Sequence, residues 1–470
     1  MPTPEERPTS SLWRDVVGAI KGKPRDYTKG AVGRAIVCLA IPMVIEMLGQ
    51  AMFGLFDAIF VSRLGTTQVA AVTLTEAVLM IVFAVAIGFS MGTTAMVARR
   101  VGEGDREAAS RTALQAILVG VVIAAIVAVI GVTGSSFFLR LMGGSPELVR
   151  EGSLFFAIIF GGNVTIILLF LINAIFRGAG DPSQAMRALW LANGINIVLD
   201  PLLIFGLGPI PGFGLEGAAI ATTIGRGIGV LYQLRILTTG GSKIQIDTAN
   251  LRVDAAVMTR LLRVSAIGIL QFFISTASFL FLARIMSRFG DAALAGHTIA
   301  IRLITFALLP VWGVGNAAAT LVGQNLGAGN PDRAERSVWV TGFVNMCILG
   351  TVGLVFIFGA EYIVGLLFQV TDEVVALASN CLRIMAYSYL FWAYGMTTVM
   401  AFNGAGDTIT PTWINFLVYW ALQLPLAWGL GVTYGYGPQG VFAAVAICQV
   451  VLAVVGVLVF RRGTWKTRAI

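Results

Sequence analysis

The sequence predicts an all-α membrane protein with twelve transmembrane helices in two pseudo-symmetric six-helix lobes. Three observations lead to this fold class. The chain of 470 residues is 57% hydrophobic and only 12% charged. It contains many bilayer-length runs without a charge, and its second half repeats its first. A water-soluble fold has too little interior to bury so much apolar surface.

The apolar runs have the length that a membrane helix needs. Residues 113–132 and 441–460, for example, carry no charged side chain, and about 20 apolar residues are enough to cross a bilayer as a helix. We place the twelve spans at 35–61, 69–97, 113–133, 153–175, 186–207, 215–237, 262–286, 293–322, 338–359, 380–402, 411–432 and 439–460.

The basic residues orient these spans. On the side of the two termini lie 24 Lys and Arg residues, whereas only Arg63, Arg140, Arg150 and Arg288 lie on the other side. The positive-inside rule puts the basic side in the cytoplasm. We therefore expect a multi-pass protein of the inner (plasma) membrane with both termini cytoplasmic. The net charge of +8 then indicates a membrane and not nucleic acid as the partner.

The same pattern divides the chain into five segments. Residues 1–34 form a polar cytoplasmic segment, which lacks the early apolar stretch of a cleavable signal peptide. Within it, residues 11–20 predict a short surface helix. The other segments are an N-lobe at 35–237 with spans 1–6, a cytoplasmic linker at 238–261, a C-lobe at 262–460 with spans 7–12, and a cytoplasmic tail at 461–470.

The two halves match in order, with a separation of 223 to 226 residues. Because each half has six spans, we expect lobes of parallel topology around a cavity, an arrangement that favours transport. The Gly-Ala-Gly-Asp sequences of both halves have no strand before them and no Lys after them, so they predict tight turns and not phosphate loops. The matching segments are 56–65 with 281–290, 101–105 with 326–330, 176–181 with 402–407, and 206–208 with 429–431.

Two carboxylates lie at membrane depth, where charge is costly and usually functional. Asp57 is late in span 1, and Asp200 in span 5 shares a helix face with Asn196. The second half has lost both acids, which predicts one ionic site in the N-lobe; a buried structural pair is the alternative. The counterparts of Asp57, Asn173, Asn196, Asp200 and Thr222 are Leu282, Val399, Tyr419, Gln423 and Val445.

Burial suggests what these acids do. A carboxylate removed from water has a raised pKa, and a second acid nearby raises one pKa further, so the pair could hold a proton near neutral pH. Alternatively, two carboxylates with Asn and Thr oxygens suit a hard cation, and Asp57, Asn196, Asp200 and Thr222 would then bind Na⁺. Both ions remain open, and no other cofactor is expected.

Four further residues invite an interpretation. Pro42 inside span 1 favours a kink, which fits a moving hinge and a static bend equally. Glu46 lies eleven residues before Asp57, about 20° away on the helix, so we expect it to line the cavity and attract cationic substrates. Glu76 either acts similarly or lies near the outer water. His297, the only histidine, fits a packing residue better than a proton relay.

At these motifs the chain resembles the multidrug and toxic compound extrusion (MATE) family over about residues 30–460, with acids like those of its DinF-like branch. The resemblance is carried by 57–65, the two Gly-Ala-Gly-Asp turns, 196–201 and 321–329. It implies two lobes in a V and secondary active export of lipophilic, often cationic compounds, antibiotics among them. Export by alternating access would be coupled to H⁺ or Na⁺. The chain would be a transporter and not an enzyme; its partners would be small molecules and membrane lipids, and we expect a monomer.

The resemblance also implies residue roles. The ion-coupling site would be Asp57, Asn196, Asp200, Thr222 and the Ala218 carbonyl. The substrate cavity would include Glu46, Gln50, Phe155 and Asn173, and span 1 would bend at Pro42 when Asp57 or Asp200 is protonated, which shrinks the cavity. The chain departs from the family pattern at Phe155, where a tyrosine is often found, and in lacking the span 7 glutamate of another branch.

Two other functions remain open. A lipid-linked oligosaccharide flippase of the same superfamily would need a more cationic cavity to hold a pyrophosphate, whereas Glu46, Asp57 and Asp200 suit a cation better. An integral membrane enzyme would need a nucleophile with its base, or a metal cluster, near one interface. One His and four scattered Cys supply neither.

Overall fold

The first half of the chain is a run of helices. The structure, a computed structural model, describes residues 12–23, 25–206, 211–247 and 252–468. The first-half helices are α1 (Leu12–Ile20), α2 (Val32–Ser62), α3 (Thr66–Gly102), α4 (Arg106–Leu141), α5 (Pro146–Gly161), α6 (Asn163–Ala179), α7 (Pro182–Phe205) and α8 (Leu215–Thr239).

The second half is helical as well, and no strand occurs in the described residues. Its helices are α9 (Ala255–Met286), α10 (Asp291–Gly327), α11 (Pro331–Leu367), α12 (Asp372–Ala386), α13 (Tyr389–Gly404), α14 (Ile409–Phe416), α15 (Leu424–Trp428) and α16 (Gly437–Arg461). Two π-helical stretches, Leu417–Gln423 and Gly429–Thr433, continue α14 and α15.

These helices confirm the all-α membrane fold class. In the described ranges, ten helical spans are long and apolar enough to cross a membrane, or eleven if the bent pair α12 and α13 is one span. The helix α8 is not among them; it carries Arg226 and several glycine and threonine residues. With α8 as the twelfth, the count agrees approximately with the predicted spans.

Three predicted spans are less regular than expected. Span 4 consists of α5 and α6, separated at Gly162, and span 10 consists of α12 and α13, bent by 64°. Span 11 passes through wide π-helical turns on both sides of Pro425, whose ring nitrogen has no hydrogen to donate. The residues at the breaks carry no charge, so hydropathy alone does not reveal them.

The duplication is visible in the helix boundaries. Both α3 and α10 have 37 residues, and both of their ends are 225 positions apart. The predicted tight turns are confirmed, because Gly180 and Gly406 have φ angles of 77° and 80°, which only glycine adopts without strain. The two halves therefore share helix lengths and turn geometry as well as sequence.

The chain forms two compact units. The N-terminal unit consists mainly of Trp13–Arg25 and Ile45–Ser265, and the C-terminal unit of Asp26–Val44 and Ala266–Ile470. The division falls inside α2, after Val44, and inside α9, after Ser265. Pro42 therefore lies two residues before a unit boundary, within a continuous helix.

Two predictions concern the connecting segments. The expected surface helix is present as α1, with Trp13 74% exposed, whereas the predicted position Ser11 lies outside the described residues. The predicted linker also contains 248–251, which lie outside the described residues. Where the linker is described, Gln115 of α4 donates a hydrogen bond to the Arg252 carbonyl at 2.8 Å.

Candidate functional site

The candidate site is built on the close packing of α7 against α8 in the N-terminal unit. Glycine makes this packing possible: a Cβ atom on Gly217 would lie 2.2 Å from the Leu203 carbonyl oxygen, and one on Gly225 would lie 2.7 Å from the Ala192 carbonyl oxygen. Both distances are far below van der Waals contact. The small residues of α8 thus bring its polar side chains directly against α7.

Asp200 lies at the centre of this contact and is 0% exposed. The Asn196 amide donates to Asp200 Oδ1 at 3.2 Å and to Thr222 Oγ1 at 3.2 Å. Asn196 and Asp200 are four residues apart on α7, and Thr222 reaches them from α8. The structure therefore brings together three of the five predicted ion-coupling residues in one hydrogen-bonded group.

Two oxygen atoms of this group lack a donor. Asp200 Oδ2 and Asn196 Oδ1 are buried and accept no hydrogen bond in the described part of the chain. A buried acceptor without a partner is costly, and such oxygens suit a proton or a hard cation. Among the described residues, no group of three or more His, Cys, Asp and Glu side chains could hold a metal ion, so a Na⁺ site would depend on the Asn and Thr oxygens.

Asp57 belongs to the same charged region but is half-buried. Its carboxylate interacts electrostatically with Asp200, with Glu76 of α3 and with Arg226 of α8. The Arg226 guanidinium also lies 5.3 Å from the centre of the Phe53 ring, one turn before Asp57 on α2. Asp57 thus has one cationic neighbour, Arg226, whereas the carboxylate of Asp200 has the Asn196 amide as its donor and the acid Asp57 as its charged neighbour.

A second buried network lies earlier on α2, at Glu46. Glu46 Oε1 pairs with Arg177 Nη1 at 2.8 Å and accepts a hydrogen bond from the Asn173 amide at 3.0 Å. The Gln233 amide donates to Asn173 Oδ1 at 2.5 Å. Glu46 is 2% exposed. Its charge is therefore balanced by an internal arginine, which weakens the expectation that Glu46 attracts cationic substrates.

The other predicted positions occupy different environments. Ala218 and Phe155 are buried in the same apolar cluster of the N-terminal unit, and Gln50 is half-buried on α2. His297 is buried and its ring stacks parallel to the Phe442 ring at 6.2 Å. Pro42 is buried inside α2, and Glu76 is exposed on α3.

Two residues of these networks were not predicted as parts of a site. Arg177 is in the last turn of α6 and is one of the 24 basic residues of the predicted cytoplasmic side, although the structure buries it. The predicted site also omits Arg226, which lies near the middle of predicted span 6. Its position four residues after Thr222 on α8 was the available signal, because that spacing puts both side chains on one helix face.

Known proteins share this architecture. The chain is 26% identical over 443 residues to "Probable multidrug resistance protein NorM" of Thermotoga maritima, which covers 93% of this chain and 94% of that protein. It is similar to crystal structures of MATE in the bent conformation (TM-score 0.86, 26% identity, 97% of this chain and 98% of the other) and in the straight conformation (TM-score 0.87, 27% identity, 94% and 98%).

The duplicated domain identifies the family. The MatE family model matches residues 42–202 and again residues 268–428. Each match covers one half of the internal duplication, and together they cover more than half of the chain. These matches, with the helical architecture and the similarity over almost the full length, show that the chain belongs to the MATE family of membrane transporters and is not an enzyme.

Proposed function

We propose that this transporter is a secondary active exporter that exchanges lipophilic and cationic compounds for H⁺ or Na⁺ by alternating access. The similarity to a protein named for multidrug resistance supports the substrate class. The similarity to MATE structures named for a bent and a straight conformation supports a conformational cycle. The basic residues support an inner-membrane protein with both termini in the cytoplasm.

One observation carries the proposal. Asp200 is completely buried, its Oδ2 atom lacks a donor, and its neighbour Asp57 adds a second negative charge. A buried acid without a matching base is costly unless it takes up a proton or a cation. The C-terminal half has Gln423 and Leu282 at the corresponding places, so the repeated fold does not itself require the two acids.

The position of Pro42 supports a route from the ion to the helix. Proline removes one backbone hydrogen bond and weakens the helix locally, and Pro42 lies two residues before the boundary between the two units. Beyond the boundary, α2 carries Asp57. Neutralising Asp57 changes its attraction to Arg226 and its repulsion of Asp200, so ion uptake would change the forces on the part of α2 that follows the proline.

The coupling ion is tested by transport in proteoliposomes. The purified full-length protein is reconstituted, and accumulation of a fluorescent cationic dye is measured with the H⁺ gradient and the Na⁺ gradient imposed separately. We expect one gradient to drive dye accumulation, and the corresponding ionophore to abolish it. Equal dye movement with and without both gradients would refute secondary active export.

A further inference from the structure

The polar segment before α2 is anchored separately to the two units. Residues Trp13–Arg25 belong to the N-terminal unit and Asp26–Val44 to the C-terminal unit, so the chain changes unit at the peptide bond between Arg25 and Asp26. This crossing precedes the first span and therefore lies on the side of the membrane where the chain begins. The contacts before and after the crossing each lie within one unit.

The contacts before the crossing form an N-anchor. Arg187 of α7 donates a hydrogen bond to the Ile20 carbonyl at 3.1 Å. Lys243, which follows α8, donates one to the Arg25 carbonyl. The Arg25 guanidinium in turn pairs with Asp15 of α1 at 3.3 Å. Two cationic side chains of the N-terminal unit thus hold main-chain oxygens of the segment.

The contacts after the crossing form a C-anchor built on one side chain. Arg333 is the third residue of α11. Its guanidinium donates to the carbonyls of Gly30, Tyr27 and Lys29 at 2.6, 3.2 and 2.9 Å. The Tyr27 side chain is only 3% exposed. Since hydrogen bonds from a charged donor are stronger than neutral ones, Arg333 alone fixes the turn that precedes α2.

The duplication separates the C-anchor from the needs of the fold. The helices α4 and α11 are equivalent, and their first residues, Arg106 and Pro331, are 225 positions apart. With this separation, Arg333 corresponds to Ala108. The repeated fold therefore does not require an arginine in the first turn of this helix, and the described hydrogen bonds of Arg333 all go to the segment before α2.

The connection between the two anchors is short. From the Arg25 carbonyl, held by Lys243, to the Tyr27 carbonyl, held by Arg333, the chain advances by two residues. Two residues span at most about 7 Å when fully extended. Any movement that separates the Lys243 amine and the Arg333 guanidinium by more than this length and the two hydrogen bonds allow must break one of the anchors.

We propose that residues 25–30 are a strap that limits how far the two units separate on the side of the termini, the proposed cytoplasmic side, during transport. The inference rests on the proposed alternating access. The strap favours the state in which both anchors hold, and opening toward the cytoplasm requires the release of one anchor. Because the anchors are hydrogen bonds to main-chain oxygens, they can break and form again in each cycle.

A distance measurement between the units tests the strap. Spin labels are attached at positions 106 and 336, which are exposed arginines of the N-terminal and the C-terminal unit, in full-length protein whose four native cysteines are replaced by alanine. Double electron–electron resonance then gives the distribution of distances between the two labels. The purified protein is measured in detergent without an ion gradient, and its melting temperature is recorded for each variant.

Four variants separate a tether from a local contact. Arg333→Ala removes the C-anchor, and Lys243→Ala weakens the N-anchor. Inserting about eight Gly and Ser residues between Arg25 and Asp26 keeps both anchors but lengthens the connection to about 35 Å. The control Arg235→Ala removes an exposed charge of α8 that belongs to neither anchor.

We expect the ratio of the longer-distance to the shorter-distance population to rise at least about tenfold in Arg333→Ala and in the insertion variant, as the loss of one charge-assisted bond provides. Lys243→Ala should raise it less, because Arg187 still holds Ile20, and Arg235→Ala should leave it unchanged. The insertion should also keep the wild-type melting temperature. Wild-type distances in the insertion variant overturn the proposal, even if Arg333→Ala changes them.

Dye export in proteoliposomes separates this inference from the export function. If the insertion changes the distances as expected but neither ion gradient drives dye export by the wild type, coupled export fails and the strap stands. If an ion gradient drives export by the wild type but the insertion leaves the distances unchanged, coupled export stands and the strap fails.

Discussion

Replacing Arg177 with Asn should destabilise the N-terminal unit strongly. Arg177 Nη1 lies 2.8 Å from Glu46 Oε1, and the two side chains are 10% and 2% exposed. Removing one partner of a buried ion pair leaves an uncompensated charge and costs about 3–5 kcal/mol. For a unit of this size, each kcal/mol corresponds to about 2–4 °C in melting temperature, so we expect Arg177→Asn to melt about 6–20 °C lower.

The duplication supplies the compensating change. The positions of Glu46 and Arg177 correspond to Gln271 and Asn403 in the second half, and both of these amide side chains are buried. The double variant Glu46→Gln with Arg177→Asn therefore places in the first half two neutral residues that the same fold already accommodates. A buried ion pair is often replaced by neutral groups with little loss, so the double variant should recover most of the lost stability.

Thermal unfolding of the purified protein in detergent measures this cycle. Glu46→Gln alone should also destabilise, because Arg177 then keeps its charge without its acid. The three variants together give the coupling energy, which we expect to be at least about 2 kcal/mol in favour of the double variant. Single variants within 1 kcal/mol of the wild type, or strictly additive effects, would show that the ion pair is not held as the structure describes.

Two further variants test packing and electrostatics elsewhere. Gly217→Ala should lower stability by about 1–3 kcal/mol, because its Cβ would lie 2.2 Å from the Leu203 carbonyl oxygen. The control Gly194→Ala should leave stability unchanged, because no atom lies within 4 Å of the Cβ that it would add. Equal melting temperatures of the two variants would refute the close contact. Lys466 pairs with Glu335 at 2.5 Å and holds the pKa of that carboxyl below its usual range. At pH values above the ordinary pKa of Glu, the pair therefore contributes about 0.5–1 kcal/mol to stability. The difference in melting temperature between the wild type and Lys466→Ala should shrink as the pH falls from 7 to 3. A difference that does not change with pH would refute this.

Much of the fold follows from features that a sequence displays directly. Apolar runs of bilayer length locate the spans, and the repeat at 225 residues predicts that α3 and α10 have equal length. The break at Gly162 and the 64° bend between α12 and α13 do not interrupt the apolar pattern. Such breaks depend on how neighbouring helices pack, and hydropathy carries no information about that.

The contacts of the candidate site could also be predicted only in part from the sequence. The spacing of Asn196 and Asp200 predicts their contact because helix geometry puts residues four apart on one face. The contact between Glu46 and Arg177 joins residues 131 positions apart. Neither the hydropathy of Arg177 nor its place at a helix end indicates a buried partner, so this pair required the three-dimensional arrangement of α2 and α6.

The central claim is that the two acids of the N-terminal unit take up the coupling ion. The most direct measurement is gradient-driven dye export in proteoliposomes by Asp57→Asn and Asp200→Asn, with Asp291→Asn, an exposed acid at the start of α10, as the control. We predict export at the level of empty liposomes for the first two variants, with unchanged melting behaviour, and wild-type export for the control. Wild-type export by both Asp57→Asn and Asp200→Asn would contradict the claim.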